Sequence, residues 1–465
     1  MRSEDDPGWS SSFDRGMRAS LYTFGCKLNQ YETEALASEF RGQGFSLVSP
    51  DEAAEVYIIN TCTVTSKSEQ KARRLIRKIS RQRPRALLIV TGCYAQLNRD
   101  DLAGLGENVR VVSQEDKVGL IELPALLKQR NETVQGAPVR GASAWGAIAP
   151  IDLSAVAGDP FRFRVDRFSY HSRAFLKVQD GCDYRCSYCR VPLARGKSVS
   201  LDPEEAVKRA REIEQRGYRE AVLTGVNLTA YRYGEIGLPG LLSRLLGGTQ
   251  RLRLRLSSLE PEMIKPELAE VLRDRRICPH FHIPIQSGSN TILLGMRRRY
   301  RVEQIVRAVK LLREAKQDPF VAADIIVGFP GEKDQDFLAS FRLVETLKLS
   351  KLHVFPFSPR PGTPAEHMTP HVPERIRDER VGKLLSLSDT LHELYAGRWV
   401  GKRVEVVLER ERSQTDSESW QGLSENYLKV LVEGVPDQLG TPGILAEALI
   451  EQAGNPCLGR FTGTV

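Results

Sequence analysis

The 465-residue sequence lacks the hydrophobic segments that direct a chain to or across a membrane. It has no run of the roughly 18 consecutive apolar residues that a transmembrane helix needs, so no membrane partner is expected. Residues 1–16 contain no apolar core, which argues against a secretory signal. Cysteine is sparse, and eight cysteines without a signal indicate metal binding in a reducing compartment rather than a disulfide framework. These absences predict a cytoplasmic protein.

The composition is typical of a globular protein with several domains. Charged residues make up 27% of the chain and hydrophobic residues 41%, and the length predicts roughly three domains. Lys and Arg outnumber Asp and Glu by 67 to 59, so the net charge is +8, which fits a polyanionic partner without requiring one. Residues 1–16 are polar and predicted to be a disordered extension, and Met17, just before the first strand, is a candidate for the true start.

Residues 17–130 alternate strand and helix patterns. The apolar runs lie at 19–24, 56–60 and 86–90, and the helical patterns between them lie at 31–40 and 69–81. This alternation predicts a parallel α/β sheet. Each run ends in a cysteine-bearing loop, at Cys26, Cys62 and Cys93. Because functional loops gather at the carboxyl ends of parallel strands, we predict a three-cysteine metal cluster, with buried structural thiols as the alternative.

Residues 171–399 repeat a strand-helix unit, after a linker at 131–170 that is rich in Gly, Ala, Pro and Ser. The predicted strands lie at 174–179, 220–224, 252–257, 280–286, 321–327 and 352–356, and the helices at 202–216, 261–273, 302–315, 334–347 and 374–399. Six repeats predict a partial (βα)6 barrel rather than the eight of a full barrel. Residues 400–465 return to strand patterns and predict a small antiparallel β-barrel, which on pattern alone could equally be a structural cap.

Three cysteines follow the first strand of that barrel, in the segment GCDYRCSYC: Cys182, Cys186 and Cys189. They can bind one metal centre, but a closed zinc site usually takes four ligands from two separated pairs. A [4Fe–4S] cluster held by three cysteines keeps one iron open for another ligand. A zinc knuckle or unrelated core cysteines are the alternatives. The spacing therefore favours an iron–sulfur enzyme.

From Leu21 onward the chain resembles the methylthiotransferases of the radical S-adenosylmethionine superfamily. The matching stretches include CRVPLARGKSVS, LTGVNLTAY, RLRLSSLEP, HFHIPIQSGSN, MRRRY, DIIVGFPGE and HVFPFSPRPGTPA. Two others, TFGCKLNQYETEAL and NTCTVTSKSEQKAR, are most similar to the bacterial threonylcarbamoyladenosine-tRNA methylthiotransferases. The C-terminal module resembles a TRAM domain, an RNA-binding barrel. Leu193 stands where the family often has an aromatic residue, and Cys457 has no family role.

The resemblance implies a reaction that replaces the hydrogen at carbon 2 of threonylcarbamoyladenosine, at tRNA position 37, with a methylthio group. It implies S-adenosylmethionine and two [4Fe–4S] clusters as cofactors. The cluster on Cys182, Cys186 and Cys189 would reduce S-adenosylmethionine, and the cluster on Cys26, Cys62 and Cys93 would carry the donated sulfur. The implied partners are the tRNA anticodon loop and an electron donor such as flavodoxin or ferredoxin.

Other functions remain open at this point, and no catalytic side chain is assigned. The same chemistry on isopentenyladenosine-tRNA or on a ribosomal protein is one alternative. A non-catalytic iron–sulfur sensor that binds RNA is another, and it would not cleave S-adenosylmethionine.

The ends of the barrel strands are the expected place for S-adenosylmethionine, as in full barrels. The candidate cofactor-binding residues are Tyr188, Thr224, Gly225, Ser257, Glu260, Gln286 and Gly328. The resemblance places main-chain contacts to the methionine amino group at Thr224 and Gly225. For each residue an ordinary strand end or turn is the alternative. His282 is predicted to be a packed strand residue rather than a ligand.

Two basic clusters are candidates for tRNA contact. The candidate RNA-binding residues are Lys71, Arg73, Arg74, Arg77, Lys78, Arg297, Arg298 and Arg299. A charge run is usually a solvated face, so each cluster alone is weak support. The two clusters and the TRAM-like module together favour tRNA binding.

Overall fold

The computed structural model describes residues 17–134, 158–412 and 419–465. The extension predicted at residues 1–16 and the middle of the linker predicted at 131–170 lie outside the described residues. No helix within the described ranges is long and apolar enough to cross a membrane.

The chain divides into two compact units. The first consists of Met1–Gly25, Glu32–Cys62 and Lys67–Arg167. The second consists of Cys26–Tyr31, Thr63–Ser66 and Phe168–Val465. Two short segments, which begin at Cys26 and Thr63, therefore belong to the second unit although each follows a strand of the first.

The first unit is built on a parallel sheet. Its strands are β1 (Arg18–Thr23), β2 (Ser46–Leu47), β3 (Val56–Thr61), β4 (Leu87–Gly92) and β5 (Val109–Val111). The helices in this part of the chain are α1 (Lys27–Gly42), α2 (Ser66–Gln82), α3 (Cys93–Leu97), α4 (Arg99–Ala103) and α5 (Leu123–Val134). The strand order is β2-β1-β3-β4-β5, and each neighbouring pair is parallel. The predicted parallel α/β fold is confirmed.

Helix α2 and the inner strands show how the sequence pattern produces this sheet. In α2, Ala72, Ile76 and Ile79 are buried at helical spacing, so one face carries the apolar side chains. Most of the Lys and Arg residues of α2 occupy its exposed positions. Strands β3 and β4 are instead buried at every residue, as expected for inner strands of a parallel sheet covered on both faces.

The second unit contains a larger α/β domain. Its strands are β6 (Ala174–Lys177), β7 (Gln179–Asp180), β8 (Val199–Ser200), β9 (Glu220–Thr224), β10 (Arg232–Tyr233), β11 (Ile236–Gly237), β12 (Arg253–Leu256), β13 (His280–Gln286), β14 (Phe320–Val327) and β15 (Lys351–Pro356). Its helices are α6 (Val191–Arg195), α7 (Pro203–Gln215), α8 (Leu238–Gly248), α9 (Pro266–Leu272), α10 (Asn290–Gly295), α11 (Val302–Ala315), α12 (Asp334–Leu347) and α13 (Glu374–Gly397). The six longest strands run parallel as two sheets, β6-β9-β12 and β13-β14-β15.

Parallel bridges from Leu254 to Ile277 and from Ser258 to His282 join the two sheets. The six predicted strands therefore form the predicted partial barrel. One predicted helix differs, because residues 261–273 contain a 3₁₀ turn followed by α9. A proline has no backbone N–H to donate, so Pro266 begins a new helix instead of continuing the turn.

The last part of the chain is a closed five-stranded barrel, called the cap below. Its strands are β16 (Arg403–Arg412), β17 (Ser419–Ser424), β18 (Lys429–Glu433), β19 (Leu445–Gln452) and β20 (Cys457–Thr464), in the order β16-β17-β18-β20-β19. The pair β18–β20 is parallel, whereas the other pairs are antiparallel. The expectation of a wholly antiparallel barrel was wrong, because a closed ring with an odd number of strands cannot alternate direction at every step.

The cap packs against the amino ends of the barrel strands. It shares one hydrophobic cluster with β14 and α13. The ring of Tyr427 stacks on His280, the first residue of β13, with centroids 3.8 Å apart. The guanidinium of Arg255 donates to the carbonyl oxygens of Ser424 (2.9 Å) and Glu425 (3.1 Å). The cap therefore closes this end of the barrel.

The carboxylate of Glu220 is buried beside the cap and interacts with three arginines. Its oxygens lie 2.6 Å from Arg255 Nε, 2.8 Å from Arg253 Nη2 and 3.8 Å from Arg173 Nη1. Burial opposes ionisation of this carboxyl, but the arginines outweigh it and hold the pKa of Glu220 well below its usual range. Arg253 also pairs with Glu405 at 2.8 Å and Arg173 with Glu409 at 3.1 Å, so the network contains three arginines and three carboxylates.

Replacing Glu220 with glutamine should destabilise the second unit by about 3 kcal/mol or more, because buried guanidiniums would lose their counter-charge. Urea unfolding of the reconstituted protein measures the change. Glu204→Gln is the matched control, since it breaks an exposed pair with Arg244 at 3.6 Å and should cost less than about 1 kcal/mol. Equal losses in the two variants would contradict a structural role for the network.

Candidate functional site

The three barrel cysteines lie in one loop, residues 182–189, that follows β6 and β7. The loop begins at Gly181, whose φ is +69°. A Cβ on Gly181 would lie 1.8 Å from the carbonyl oxygen of Lys197, so only glycine fits there. The amide of Cys182 donates to the carbonyl oxygen of Gly196 at 3.1 Å. Close packing against the 196–197 backbone thus fixes the start of the cysteine loop.

The surroundings of these sulfurs fit a metal cluster. The Cys186 Sγ accepts a hydrogen bond from Arg298 Nη1 at 3.2 Å, and the Cys182 Sγ accepts one from the Tyr184 amide at 3.4 Å. Burial raises the pKa of the Cys189 thiol to about 12 and also raises the pKa of the Cys182 and Cys186 thiols. Thiolates here need a positive partner, which bound iron supplies. The donor set therefore fits a [4Fe–4S] cluster held by three cysteines.

Arg298 joins this loop to the segment after β12. Its guanidinium forms an ion pair with Glu260 and lies 4.7 Å from the centroid of the Tyr300 ring. Burial raises the pKa of Glu260 to about 7, although Arg298 opposes the shift. The side chain of Arg298 is only 4% exposed. The prediction that Arg298 binds RNA together with Arg297 and Arg299 is therefore not supported, because its guanidinium is turned inward onto Glu260 and the cysteine loop.

The ends of β9 and β12 carry polar atoms that lack partners. Thr224 is buried at the end of β9, and a Cβ on Gly225 would lie 2.8 Å from Gln179 Oε1. The Ser257 Oγ and Asn227 Nδ2 atoms are buried and have no hydrogen-bond partner within the described part of the chain. Buried polar groups are normally satisfied, so this edge fits a polar ligand such as S-adenosylmethionine. Asn227 was missed from the sequence, although it follows the predicted Thr224 and Gly225 closely.

The remaining cofactor candidates lie further round the barrel. Gln286 ends β13 with φ 60°, an unusual conformation for a residue with a side chain. Gly328 follows β14 with φ +78°, and the space beside it is taken by Arg377, whose Cγ would lie 2.6 Å from an added Cβ. Tyr188 packs against an apolar cluster, and burial raises its pKa well above the usual value. Gly328 and Tyr188 thus have packing roles that the sequence did not reveal.

A hydrogen-bonded chain of polar side chains crosses β13, β14 and β15. Ser258 Oγ lies 2.7 Å from His282 Nδ1, His282 Nε2 lies 2.9 Å from Asp324 Oδ1, and His353 Nδ1 lies 3.2 Å from the same oxygen. Burial opposes ionisation, but the two histidines outweigh it and lower the pKa of Asp324 to about 2. His282 is a residue of β13, as predicted, but the sequence did not reveal its contact with Asp324, which lies on the neighbouring strand β14. The ligand atoms of His282, Asp324 and His353 lie within 4.8 Å of one another, so the set could also hold a divalent ion.

The other three cysteines follow three neighbouring strands. Cys62 and Cys93 come directly after Thr61 and Gly92, which are paired in β3 and β4. A Cβ on Gly92 would lie 2.3 Å from the Thr61 carbonyl oxygen, so the two loops start in tight contact. Cys26 follows β1, the strand on the other side of β3. The strand-end positions expected from the sequence are thus present.

Arginines of the barrel domain contact the short segments that follow two of these cysteines in sequence. Arg190 Nη1 donates to the Thr63 hydroxyl at 3.1 Å, and Arg360 Nη2 donates to the Thr63 carbonyl at 3.0 Å. Arg195 Nη2 donates to Asn29 Oδ1 at 2.6 Å. These contacts lie within the second unit. They put positive charge next to residues 29 and 63, which favours an anionic group nearby.

Lys27, the residue after Cys26, also belongs to the second unit. Its ammonium is acted on by the charges of Arg173, Arg255 and Glu220. Burial, helped by the two arginines and opposed by Glu220, lowers the pKa of Lys27 to about 8. Sequence reasoning missed this residue, because a lysine at a helix start is usually exposed to solvent.

The predicted RNA-binding residues have different environments. Those with exposed side chains are Lys71, Arg74, Arg77, Lys78, Arg297 and Arg299. Lys78 is paired with Asp51 at 2.7 Å, an exposed pair that phosphate can displace. Arg73 is half-buried and donates to the Tyr94 hydroxyl. The exposed face of α2 is therefore a basic surface on which Lys71, Arg74 and Arg77 are the most available cations.

A cavity of about 610 Å³ opens beside the cysteine loop. Asp183, Tyr184, Thr229, Arg232 and Arg299 are among the residues that line it. The Arg299 guanidinium lies 4.0 Å from the centroid of the Tyr184 ring. Arg299 therefore borders a concave surface next to the candidate cluster rather than an open helix face.

Comparison with known proteins gives two family matches and several relatives. The model described as the Radical SAM superfamily matches residues 176–344, and the model described as Uncharacterized protein family UPF0004 matches residues 18–113. The chain is 38% identical over 456 residues to the Threonylcarbamoyladenosine tRNA methylthiotransferase MtaB of Treponema pallidum, which covers 88% of this chain and 93% of that protein. It is 31% identical over 453 residues to the tRNA-2-methylthio-N(6)-dimethylallyladenosine synthase of Thermus thermophilus, which covers 96% of this chain and 92% of that protein.

One solved structure with a similar fold is the radical S-adenosylmethionine methyltransferase TsrM from Kitasatospora setae. It aligns with a TM-score of 0.51 and 15% sequence identity, over 76% of this chain and 77% of that chain. At this identity the likeness shows the fold alone.

Proposed function

Because the chain belongs to the tRNA methylthiotransferase family of radical S-adenosylmethionine enzymes, we propose that its substrate is threonylcarbamoyladenosine at tRNA position 37 and that it places a methylthio group on carbon 2. The observation that carries this choice is the higher identity to the threonylcarbamoyladenosine enzyme, 38% against 31% for the dimethylallyladenosine enzyme, over nearly the whole chain. The anticodon loop is the proposed binding target.

The barrel residues hold and shield the reactive centre. Cys182, Cys186 and Cys189 would bind a [4Fe–4S] cluster whose open iron takes S-adenosylmethionine, and together these groups supply one-electron radical chemistry when bound. Arg298 donates to the Cys186 sulfur and so offsets its negative charge. Glu260 holds Arg298 in place through their ion pair. The burial of Cys186 keeps water from that side of the centre.

The unpartnered atoms at the strand ends suit the polar part of the cofactor. Ser257 Oγ offers both a donor and an acceptor, and Asn227 Nδ2 offers a donor. These two atoms can bind the amino and carboxylate groups of S-adenosylmethionine, or its ribose. The close approach of Gly225 to Gln179 holds the backbone of this edge in a fixed position.

Cys26, Cys62 and Cys93 are the proposed ligands of a second [4Fe–4S] cluster that carries the donated sulfur. Their places after β1, β3 and β4 support this, since functional loops gather at the carboxyl ends of parallel strands. The arginines that contact Thr63 and Asn29 would favour the negative charge of such a cluster. A ferredoxin or flavodoxin is the proposed electron donor.

Mass spectrometry of tRNA nucleosides from cells with and without the gene tests the substrate. Loss of the gene should remove methylthio-threonylcarbamoyladenosine and leave the unmethylthiolated nucleoside in its place. The wild-type gene on a plasmid should restore the product, and its Cys186→Ala variant should not. Loss of the methylthio-isopentenyl nucleoside, or unchanged tRNA, would refute the proposed substrate.

Charge reversal on the exposed face of α2 should weaken tRNA binding. For Arg74→Glu with Arg77→Glu, we expect the slope of log affinity against log salt to fall in magnitude by about 2, because two phosphate contacts would be lost. A filter-binding salt series measures it. Arg307→Glu with Lys310→Glu, an equal charge change on the exposed face of α11, is the matched control. Identical slopes in the two double variants would leave α2 as an ordinary solvated face.

A further inference from the structure

Three side chains on neighbouring barrel strands bring their polar atoms together in the second unit. They are His282 of β13, Asp324 of β14 and His353 of β15. Asp324 and His353 are directly paired in the register of β14 and β15, and the two imidazole rings have their centroids 5.2 Å apart. One ligand atom from each residue lies within 4.8 Å of the other two. Because regular strands carry all three residues, the sheet fixes their spacing.

The separations and the ligand types fit a divalent transition metal. Both histidines approach the same oxygen, Asp324 Oδ1, at 2.9 Å from His282 Nε2 and 3.2 Å from His353 Nδ1. A tetrahedral zinc with bonds of about 2.0–2.1 Å holds its ligand atoms roughly 3.3 Å apart, so small side-chain rotations are sufficient to admit it. Two imidazoles and one carboxylate suit Zn²⁺ or Fe²⁺ and disfavour Mg²⁺ and Ca²⁺, which take oxygen ligands.

Ser258 supplies the outer contact that a metal-binding histidine usually has. Its Oγ lies 2.7 Å from His282 Nδ1, so the Nδ1–H group can donate to it and leave the Nε2 lone pair for a metal. The side chain of His353 is 50% exposed, whereas those of His282 and Asp324 are 15% and 22% exposed. A metal can therefore enter from the His353 side and keep a coordination position for water.

We propose that His282, Asp324 and His353 bind one divalent transition metal, with zinc as the ion to be tested. The bound ion joins the three strands of the β13-β14-β15 sheet and takes the place of the protons in the two hydrogen bonds to Asp324. Its ligands include no cysteine, so the site differs in donor atoms from both proposed iron–sulfur clusters. The inference does not depend on which nucleoside the enzyme modifies.

Zinc uptake by the reconstituted protein tests the proposal. The protein with its iron–sulfur clusters assembled is dialysed anaerobically against Zn²⁺, and bound zinc and iron are measured by plasma mass spectrometry. The wild type should bind one zinc per chain with its iron content unchanged. Ser258→Ala should weaken zinc binding about 10- to 100-fold, the usual effect of losing an outer contact, and His353→Gln and Asp324→Asn should weaken it further. His367→Gln is the matched control, since this histidine is 84% exposed and pairs only at 3.6 Å with Glu366, and it should bind zinc as the wild type does.

X-ray absorption at the zinc edge identifies the ligands of the bound ion. Nitrogen and oxygen neighbours at about 2.0–2.2 Å without sulfur would support the site, whereas a zinc–sulfur distance of about 2.3 Å would place the ion on cysteines and overturn the proposal. Wild-type protein that binds no zinc, or a His353→Gln variant that binds it as tightly as the wild type, would leave the three side chains as a hydrogen-bonded group and also overturn it. Circular dichroism and iron content check that each variant folds, and the wild-type zinc-edge spectrum decides the proposal independently of any variant.

Discussion

The Cys186→Ala variant is expected to produce no 5′-deoxyadenosine from S-adenosylmethionine under reducing conditions. Two thiolates remain in the loop, too few to hold a cluster that needs three, and the cluster supplies the electron for cleavage. The substitution also removes the sulfur to which Arg298 donates, so a buried guanidinium N–H loses its acceptor. Chromatography of the dithionite-driven reaction measures 5′-deoxyadenosine directly, and the rate should fall to background.

Cys457→Ala is the control for this result. Cys457 is also a buried cysteine, but its Sγ lies 3.3 Å from the Gly454 carbonyl oxygen in the cap, and the proposed clusters do not use it. That variant should keep its iron and its cleavage rate. Normal 5′-deoxyadenosine production by Cys186→Ala would show that the ligands of the barrel cluster have been assigned wrongly.

The Cys62→Ala variant should separate radical formation from sulfur transfer. Because Cys62 lies in the first unit and the cysteine loop 182–189 lies in the second, the barrel cluster should assemble normally. The variant should still form 5′-deoxyadenosine, contain about half the wild-type iron and yield no methylthio nucleoside. Nucleoside analysis of the same reaction mixtures measures both products in one experiment.

Cys62→Ser checks this result by keeping a polar side chain of nearly the same size. If the defect comes from lost iron ligation rather than from packing, the Cys62→Ser variant should methylthiolate tRNA nearly as poorly as the Cys62→Ala variant. Full methylthiolation by either variant would rule out a second cluster on Cys26, Cys62 and Cys93.

Local patterns in the sequence were sufficient for the strands and for the positions of the cysteines. Six apolar runs separated by amphipathic helices specify a parallel barrel, since that pattern buries strands on both faces. Cys62 and Cys93 follow strand ends because the runs before them stop at Thr61 and Gly92. Each of these features depends on residues within a few positions of one another.

The features that the sequence did not reveal are contacts between residues far apart in the chain. In the segment MRRRY nothing in the sequence distinguishes Arg298 from Arg297 and Arg299. Its partner Glu260 lies 38 residues away in the chain, and their ion pair turns the Arg298 side chain inward. His282 acquires its polar role from Asp324, 42 residues away. The strand patterns in residues 400–465 did not give the number of strands, so the odd number that forces a parallel pair in the cap was not predicted.

The contacts between the cap and the barrel also determine when the barrel can be completed during protein synthesis. Arg255 finds its carbonyl acceptors 169 and 170 residues later in the chain, at Ser424 and Glu425. A ribosome adding about 5–20 residues per second needs roughly 10–30 s to make that stretch. During this interval the amino end of the barrel is open and the Arg255 guanidinium lacks these two acceptors. Closure of this end of the barrel therefore waits for the last part of the protein to be translated, and a frameshift shortly before Ser424 would leave the Arg255 guanidinium without these two acceptors.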